Sequence, residues 1–415
     1  MTPHAEHPGR DGARPGRWDA WQLTSVALLL VAANLSIALS QILLGVALAV
    51  MLGRRLVART TLPVTGLEWP VLLLAFWALA VLPFSSDPVQ SLVFYRRFFL
   101  FGAIWAGAAA ARGEGSRRGL AGALLAGAVL ISVYGQVNIW RETGSLFDVR
   151  LGEMSNPMTS GCLLMLVLLV VVGILLTPGI GARARWLLGL AALPVAVGLI
   201  QTMTRSAWLG LAAGSGLILL LRDRRWLAVY ILGAVAVLVV VPRLAERNAD
   251  ERLAGRLTPG YVAEGQNTSR RLEMWRAGWQ IIRDHPVTGI GDRDLTEVLP
   301  AYYGDQDTVY FGHLHSNLVM LAVIWGIPGF LLAMGFFLVT LVRPWRLWVQ
   351  LGGTGPPREP WRRGWALGAA GAAAGFFTAG LTEWYFGDAE SMLLFLTILG
   401  VALGTDRHSE DTGHA

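Results

Sequence analysis

The sequence predicts an all-α integral membrane protein of about twelve transmembrane helices, interrupted by one large polar loop that carries short helices. Three observations lead there. Mean hydropathy is +0.51, with 54% hydrophobic and only 15% charged residues, a balance foreign to soluble globular chains. Apolar runs of ~20 residues, long enough to cross ~30 Å of hydrocarbon, recur along the chain. The connections between them are short and arginine-bearing, except for residues 243–315.

Taken in order, apolar windows fall near 20–35, 37–53, 67–83, 94–111, 119–137, 159–177, 186–203, 206–221 and 226–242, and again at 316–342, 363–381 and 389–404. This divides the chain into a polar tail (1–19), a bundle of about nine helices (20–242), the loop (243–315), a bundle of about three helices (316–404) and a second tail (405–415). The first two windows are parted only by a turn near Ser36. No small-residue cleavage site follows the first run, which reads as a retained span. Glycine and alanine are dense throughout, as at Gly210, Gly214 and Gly216 or Gly368, Gly371 and Gly375, and small residues let helices approach closely in lipid.

Arginine sets the orientation. All 34 basic residues are arginine, and with the N-terminus inside most of those in short connections fall on the cytoplasmic side. Arg54, Arg55, Arg117, Arg118, Arg222, Arg343 and Arg362 belong to that set. The opposite connections hold only Arg96, Arg97, Arg141, Arg150 and Arg205. Both tails are then cytoplasmic, and the long loop faces outward. The same topology accounts for a pI near 10 without a nucleic-acid partner. Cys162 is the sole cysteine, which excludes an intrachain disulfide and a cysteine-based metal cluster.

Within the loop, Thr268 or Ser269 is placed to cap a helix running to about Asp284, with Leu272, Trp275, Trp279 and Ile282 at helical spacing. His285-Pro286 ends it, Gly289-Ile290-Gly291 turns the chain, and residues 295–303 suit a second short helix. Of seven histidines, His4, His7, His408 and His414 lie in the tails. His285, His313 and His315 all lie in the loop. His313-Leu314-His315-Ser316-Asn317 immediately precedes the apolar run from Leu318 to Val342, so two titratable rings sit at a membrane surface. A His-x-His pair suits a metal as well as a proton acceptor, but a third ligand is not evident. Asp305 and Asp307 are near only in sequence, and we expect no metal. His315 suits a general base, with His313 accessory or structural.

Arg205 interrupts two apolar runs within Gln201-Thr202-Met203-Thr204-Arg205-Ser206, as an interfacial anchor or an anion ligand. Arg270 and Arg271 head the loop helix, either solvated or holding an anion. Arg97 reads as a snorkelling residue with a possible accessory role. Glu383, Asp388 and Glu390, in the last outward turn, either hold or orient an acceptor or cap neighbouring helices. Tyr302, Tyr303, Tyr310 and Trp384 suit sugar stacking or an interfacial belt. No phosphate-cradling glycine loop, serine triad, zinc-protease helix or outward Asp-x-Asp pair is present.

These residues carry a resemblance. His315-Ser316, nine residues, Gly326, two residues, Gly329 resembles the His-[Asn/Ser/Gln]-x9-Gly-x2-[Gly/Thr/Tyr] pattern of bacterial O-antigen ligases. Arg271 to Trp275, continuing through His285-Pro286-Val287-Thr288-Gly289-Ile290-Gly291, is similar to the preceding stretch in that family and in O-antigen polymerases. Thr204-Arg205-Ser206 resembles their polar break. The resemblance implies a membrane-embedded glycosyltransferase of the GT-C type in the bacterial inner membrane, with a periplasmic site and no cofactor, nucleotide, ATP or metal. It implies transfer of O-antigen from undecaprenyl pyrophosphate to a sugar hydroxyl of lipid A-core, with inversion. On the matching positions His315 takes the catalytic role, and Arg205 and Arg271 bind the pyrophosphate, with Arg270 the neighbouring alternative. An O-antigen polymerase or a protein O-glycosylating ligase fits the same pattern with a different acceptor. A transporter would need an internal repeat and charges within spans, neither of which is evident.

Overall fold

The computed structural model describes residues 16–146, 149–152, 156–223, 225, 230, 266–303, 312–356 and 359–405. Every regular element among them is helical. In chain order these are α1 (Arg17–Ala32), α2 (Ile37–Ala58), α3 (Glu68–Ala80) and α4 (Pro88–Tyr95). A 3₁₀ stretch (Arg96–Phe101) leads on to α5 (Gly102–Ala110). Then come α6 (Glu114–Thr143), α7 (Pro157–Leu175), α8 (Ala182–Gln201), α9 (Arg205–Arg222), α10 (Gln266–Asp284) and α11 (Pro300–Tyr303). The last three are α12 (Asn317–Gln350), α13 (Pro360–Ala379) and α14 (Ala389–Leu403).

Six stretches among the described residues are long and apolar enough to cross a membrane: Ile37–Ala58, Pro88–Ala110, Glu114–Thr143, Pro157–Leu175, Ala182–Gln201 and Asn317–Gln350. The chain is therefore an all-helical, multi-pass membrane protein. These account for six of the expected dozen. The windows at α1, α9 and α13 form helices that are either short or rich in glycine and alanine with arginine at an end. Glu68–Phe84 and Ala389–Leu403 are apolar but shorter. The expected span 226–242 lies almost wholly outside the described residues, as do most of the two tails, residues 231–265, Asp305, Asp307 and Tyr310.

Helix starts follow the polar residues at run boundaries. Ser36 accepts a hydrogen bond from Leu39 N at the start of α2, and Asn156 caps α7 ahead of Pro157, whose missing N–H costs nothing in a first turn. Pro300 likewise opens α11, which is a single turn and not the longer helix expected over 295–303. In the interior α13 packs on α7 and α9, and α14 on α5. The approach is close because the facing positions are glycine. Gly173 meets the backbone of Gly368, Gly214 the carbonyl of Gly371, and Gly400 the carbonyl of Ile104. In lipid, where apolar burial no longer drives association, this backbone-to-backbone packing takes over.

At 34 residues, α12 is about 51 Å long, and it is broken. Gly326 adopts φ 66° and ψ −176°, conformations closed to side chains, and a Cβ there would collide with the Val287 carbonyl. The break strands backbone groups that need partners. The 286–291 turn supplies them. Ile290 N donates to Val323 O (3.0 Å), Gly291 N to Ile324 O (3.0 Å), and Ile327 N donates back to Pro286 O (2.8 Å). Trp77 Nε1 takes the carbonyl of Trp325 at 2.9 Å. Gly289, at φ 64°, leaves room for the Val323 carbonyl.

The α10 helix differs from expectation in its start. It begins at Gln266, ahead of Thr268 and Ser269. Its buried side is Met274, Ala277, Ile281 and Ile282, while Leu272 and Trp279 are exposed. The reason is Gly278, where a Cβ would press into Val319 and Leu314. The small residues, not the large ones, define the surface that packs on α12.

Candidate active site

The site lies where the N-termini of α7, α9, α12 and α14 meet the turn 380–388, and it begins with a cap. Ser316 accepts a hydrogen bond from Val319 N and starts α12. Just before it, His315 takes a left-handed backbone, φ 48°, a region in which histidine is among the enriched non-glycine residues. Asn317 then clamps the 380–388 turn at both ends. Its N–H donates to Gly380 O at 2.7 Å, and its Oδ1 accepts from Phe386 N at 3.0 Å.

So held, the turn presents Glu383, 4% exposed, to two partners. One carboxylate oxygen lies 2.6 Å from His315 Nδ1 and the other 3.1 Å from Arg271 Nη2. Arg271 Nη1 also donates to Thr382 O. One turn further along α10, Trp275 Nε1 donates to Leu314 O at 2.9 Å, fixing the helix to the histidine segment. His313 stacks edge-on against His315 with ring centroids 4.3 Å apart, and its Nδ1 accepts the His315 N–H at 3.3 Å.

The electrostatics follow from this packing. Burial alone would raise the Glu383 carboxyl, but the hydrogen bond from His315 and the charges of His315, Arg271 and His313 outweigh it and hold it below the ordinary carboxylate range. Burial, with the neighbouring His315 ring, pushes His313 down to about 4, in keeping with an Nδ1 that accepts. An ionised Glu383 keeps a proton on His315 Nδ1 and leaves Nε2 as the basic nitrogen of the ring. That is the tautomer a general base requires.

His313, His315 and Glu383 are also a possible metal-ligand set, with donor atoms within 4.8 Å of one another. Their spacing favours a shared proton. Two ligands on one tetrahedral zinc, each at ~2.0–2.1 Å, stand about 3.3 Å apart, wider than the 2.6 Å between His315 and Glu383.

The other sequence candidates divide. Arg205 is the first residue of α9 and half-buried. Its neighbour Ser206 pairs with Tyr385 Oη at 3.0 Å, so the start of α9 rests on the same turn as Glu383. Met203, two residues earlier, also has a left-handed backbone, φ 49°. Arg150 buttresses this break through Thr202 O (2.9 Å) and Thr204 Oγ1 (3.2 Å). Arg270 is exposed, because adjacent helical residues point ~100° apart; of the arginine pair, only Arg271 reaches the carboxylate.

Arg97 does not snorkel. It grips Asp292 with Nη1 at 3.0 and 2.9 Å from the two oxygens and lies 4.4 Å from the Phe94 ring centroid. Burial pushes the Asp292 carboxyl up, and Arg97 pulls it part of the way back. Asp388 is a cap: it accepts from Glu390 N at 3.1 Å and Ser391 N at 3.4 Å, and from Thr159 Oγ1. Sequence reasoning missed Asn317 and Tyr385. Asn317 left a signal, as a polar amide at the mouth of an apolar run.

Residues 189–334 match the model of the family described as O-antigen ligase. That segment carries Arg205, Arg271, His315, Gly326 and Gly329 and stops short of Glu383. No curated protein matches the chain. With the motif-bearing segment matched and a helical membrane fold around it, residues 189–334 support a place in the O-antigen ligase/polymerase superfamily.

Proposed function

We propose that this protein transfers O-antigen polysaccharide from undecaprenyl pyrophosphate to a sugar hydroxyl of lipid A-core, at the periplasmic face of the inner membrane. The observation that carries the reading is the Arg271–Glu383–His315 chain of contacts in a chain whose residues 189–334 match the O-antigen ligase family. His315 Nε2 takes the proton of the acceptor hydroxyl as its oxygen attacks the anomeric carbon. The bond from that carbon to the pyrophosphate oxygen breaks with inversion, and undecaprenyl pyrophosphate leaves as the anion. Glu383 stabilises the imidazolium that forms and keeps the ring in register.

Arg271 and Arg205 meet the charge on the leaving group. Guanidinium forks can do this in place of a metal. The α9 N-terminus adds partial positive charge, since Thr204 makes no side-chain cap there. General-base assistance is worth ~10²–10⁴ in rate. The donor bond supplies the energy, so the reaction runs without ATP.

The test is purified protein in detergent or nanodiscs with lipid-linked O-antigen and lipid A-core, without nucleotide or added metal. Ligated lipopolysaccharide is the expected product, and His315→Ala loses it while remaining folded. Longer carrier-linked chains and no ligated product would instead mark a polymerase.

A further inference from the structure

The transfer chemistry uses one ring of the histidine segment and leaves the other without a task. His313 is half-buried and meets His315 edge-on, with ring centroids 4.3 Å apart and planes at 66°. Its Nδ1 accepts the His315 main-chain N–H at 3.3 Å. A neutral imidazole carries one ring proton, so the nitrogen that accepts is bare and the proton sits on the other. That places an N–H at Nε2. Among the described residues the bond to the His315 main chain is the ring's one hydrogen bond, and no side chain takes the Nε2 proton. The ring is open on part of its surface, so this N–H is within reach of a ligand.

The surroundings decide what it can serve. Burial, with the charges of His315 and Arg271, outweighs the pull of Glu383 and Asp294 and holds His313 at about 4. At neutral pH the ring therefore donates without carrying charge. An anion beside it would favour protonation, and the guanidinium groups already answer the charge of a diphosphate. A neutral N–H suits a neutral oxygen, as of a sugar hydroxyl. Its position agrees. In a displacement with inversion the attacking oxygen and the leaving group stand on opposite faces of the anomeric carbon, and a ring in contact with the base belongs to the attacking side. His315 Nε2 accepts and His313 Nε2 donates. Side by side they match two neighbouring hydroxyls of one sugar ring, the first giving its proton and the second receiving an N–H.

We propose that His313 orients the acceptor: its Nε2–H holds the hydroxyl next to the one that attacks, so the protein selects sugars with a vicinal diol at the point of transfer. The inference rests on the transfer reading for the reaction, and on the His313–His315 geometry for the donor. His313 makes and breaks no covalent bond. Its proton stays on Nε2 while the proton of the attacking hydroxyl goes to His315.

Two amides separate this role from mere support of the histidine segment. In His313→Asn, Oδ1 stands near the place of Nδ1 and still accepts the His315 N–H, but nothing replaces the Nε2 donor. In His313→Gln the amide N–H reaches towards the place of Nε2, while the main-chain acceptor is lost. With full-length protein in nanodiscs, transfer is measured with lipid A-core varied at saturating lipid-linked donor, then with donor varied. His313→Asn is expected to raise acceptor KM about tenfold, the size of one neutral hydrogen bond, with donor KM unchanged within about twofold. His313→Gln recovers most of that loss. An acceptor with hydrogen in place of the neighbouring hydroxyl loses about tenfold with wild-type protein and little with His313→Asn. A second arm uses NMR of wild-type protein with isotopically labelled histidine nitrogens, the His313 signal being identified from either variant. It should show a protonated Nε2 that shifts when deacylated core oligosaccharide is added.

A wild-type acceptor KM in His313→Asn overturns the role, and so does a loss seen in His313→Gln alone, which is the mark of main-chain support. A rise confined to donor KM, or a signal that moves with undecaprenyl pyrophosphate and not with oligosaccharide, overturns the assignment to the acceptor. If wild-type protein transfers nothing, the transfer reading fails, and the NMR arm still decides whether His313 Nε2 meets a sugar hydroxyl.

Discussion

Glu383→Gln isolates the feature on which the proposed chemistry turns. The carboxylate is 5% exposed at its side chain and lies 2.6 Å from His315 Nδ1, so its charge acts on the ring with little screening from water. Glutamine keeps the shape and removes the charge. If its amide nitrogen faces the ring, Nδ1 must accept, the ring proton moves to Nε2, and the base is lost. If its carbonyl faces the ring, the tautomer survives, but the imidazolium formed during attack loses its counter-charge.

Either outcome removes most of the general-base term, ~10²–10⁴ in kcat, which corresponds to about 2.7–5.4 kcal/mol of activation free energy. Arg271 keeps the Thr382 carbonyl and is 27% exposed, so its freed fork reaches water and the fold survives. The assay is single-turnover ligation at saturating donor and acceptor, with substrate affinities measured separately. A folded Glu383→Gln variant with kcat within threefold of wild type refutes the argument. So does a loss confined to KM.

Arg271→Lys is expected to cost at least tenfold in donor KM, since one ammonium cannot replace the fork that reaches both Glu383 and Thr382; donor titration of the variant checks it. Acid should loosen the site. Burial holds His313 at about 4, below the ordinary 6.5 of a free imidazole, so the unfolded chain takes up the proton first and stability falls by up to about 3 kcal/mol as pH drops from 6.5 towards 4. Glu383, held below the ordinary carboxylate range, is lost in the same direction. Thermal unfolding from pH 7 to pH 4 should show the decline, and His313→Asn, whose Oδ1 can replace Nδ1 as acceptor, should flatten it. Gly326→Ala should lower the unfolding midpoint and the yield of folded protein, because a side chain at φ 66° and ψ −176° costs ~1–3 kcal/mol even before the collision with Val287 is counted.

Much of the architecture was legible because lipid imposes a simple length rule, and the apolar windows landed on helices wherever residues are described. What the windows could not show is which helices reach across. Runs such as 363–381 look apolar on average, yet α13 spends its glycines on contact with α7 and α9. The spacing on α10 did not show which of its faces packs inward. Leu272 and Trp279 are the larger residues, but packing chose the face with Ala277 and Gly278, since proximity to α12 was worth more than side-chain size.

In the site, His315 and Arg271 were readable from residue type at a membrane boundary. Glu383 was legible only as a candidate with several uses, because its pairing spans 68 positions and depends on Asn317 clamping a distant turn. Arg97 was misread for the same cause: Asp292 lies 195 positions away.

The bend at Gly326 carries a mechanical consequence. Its stranded carbonyls are paired by the very turn that follows α10, so the stretch bearing Arg271 and the stretch bearing His315 are laced into one girder by main-chain bonds. Neither can swing aside as a flap on its own. The guanidinium and the imidazole therefore stay in step, and bulky partners have to be admitted by movement elsewhere in the assembly.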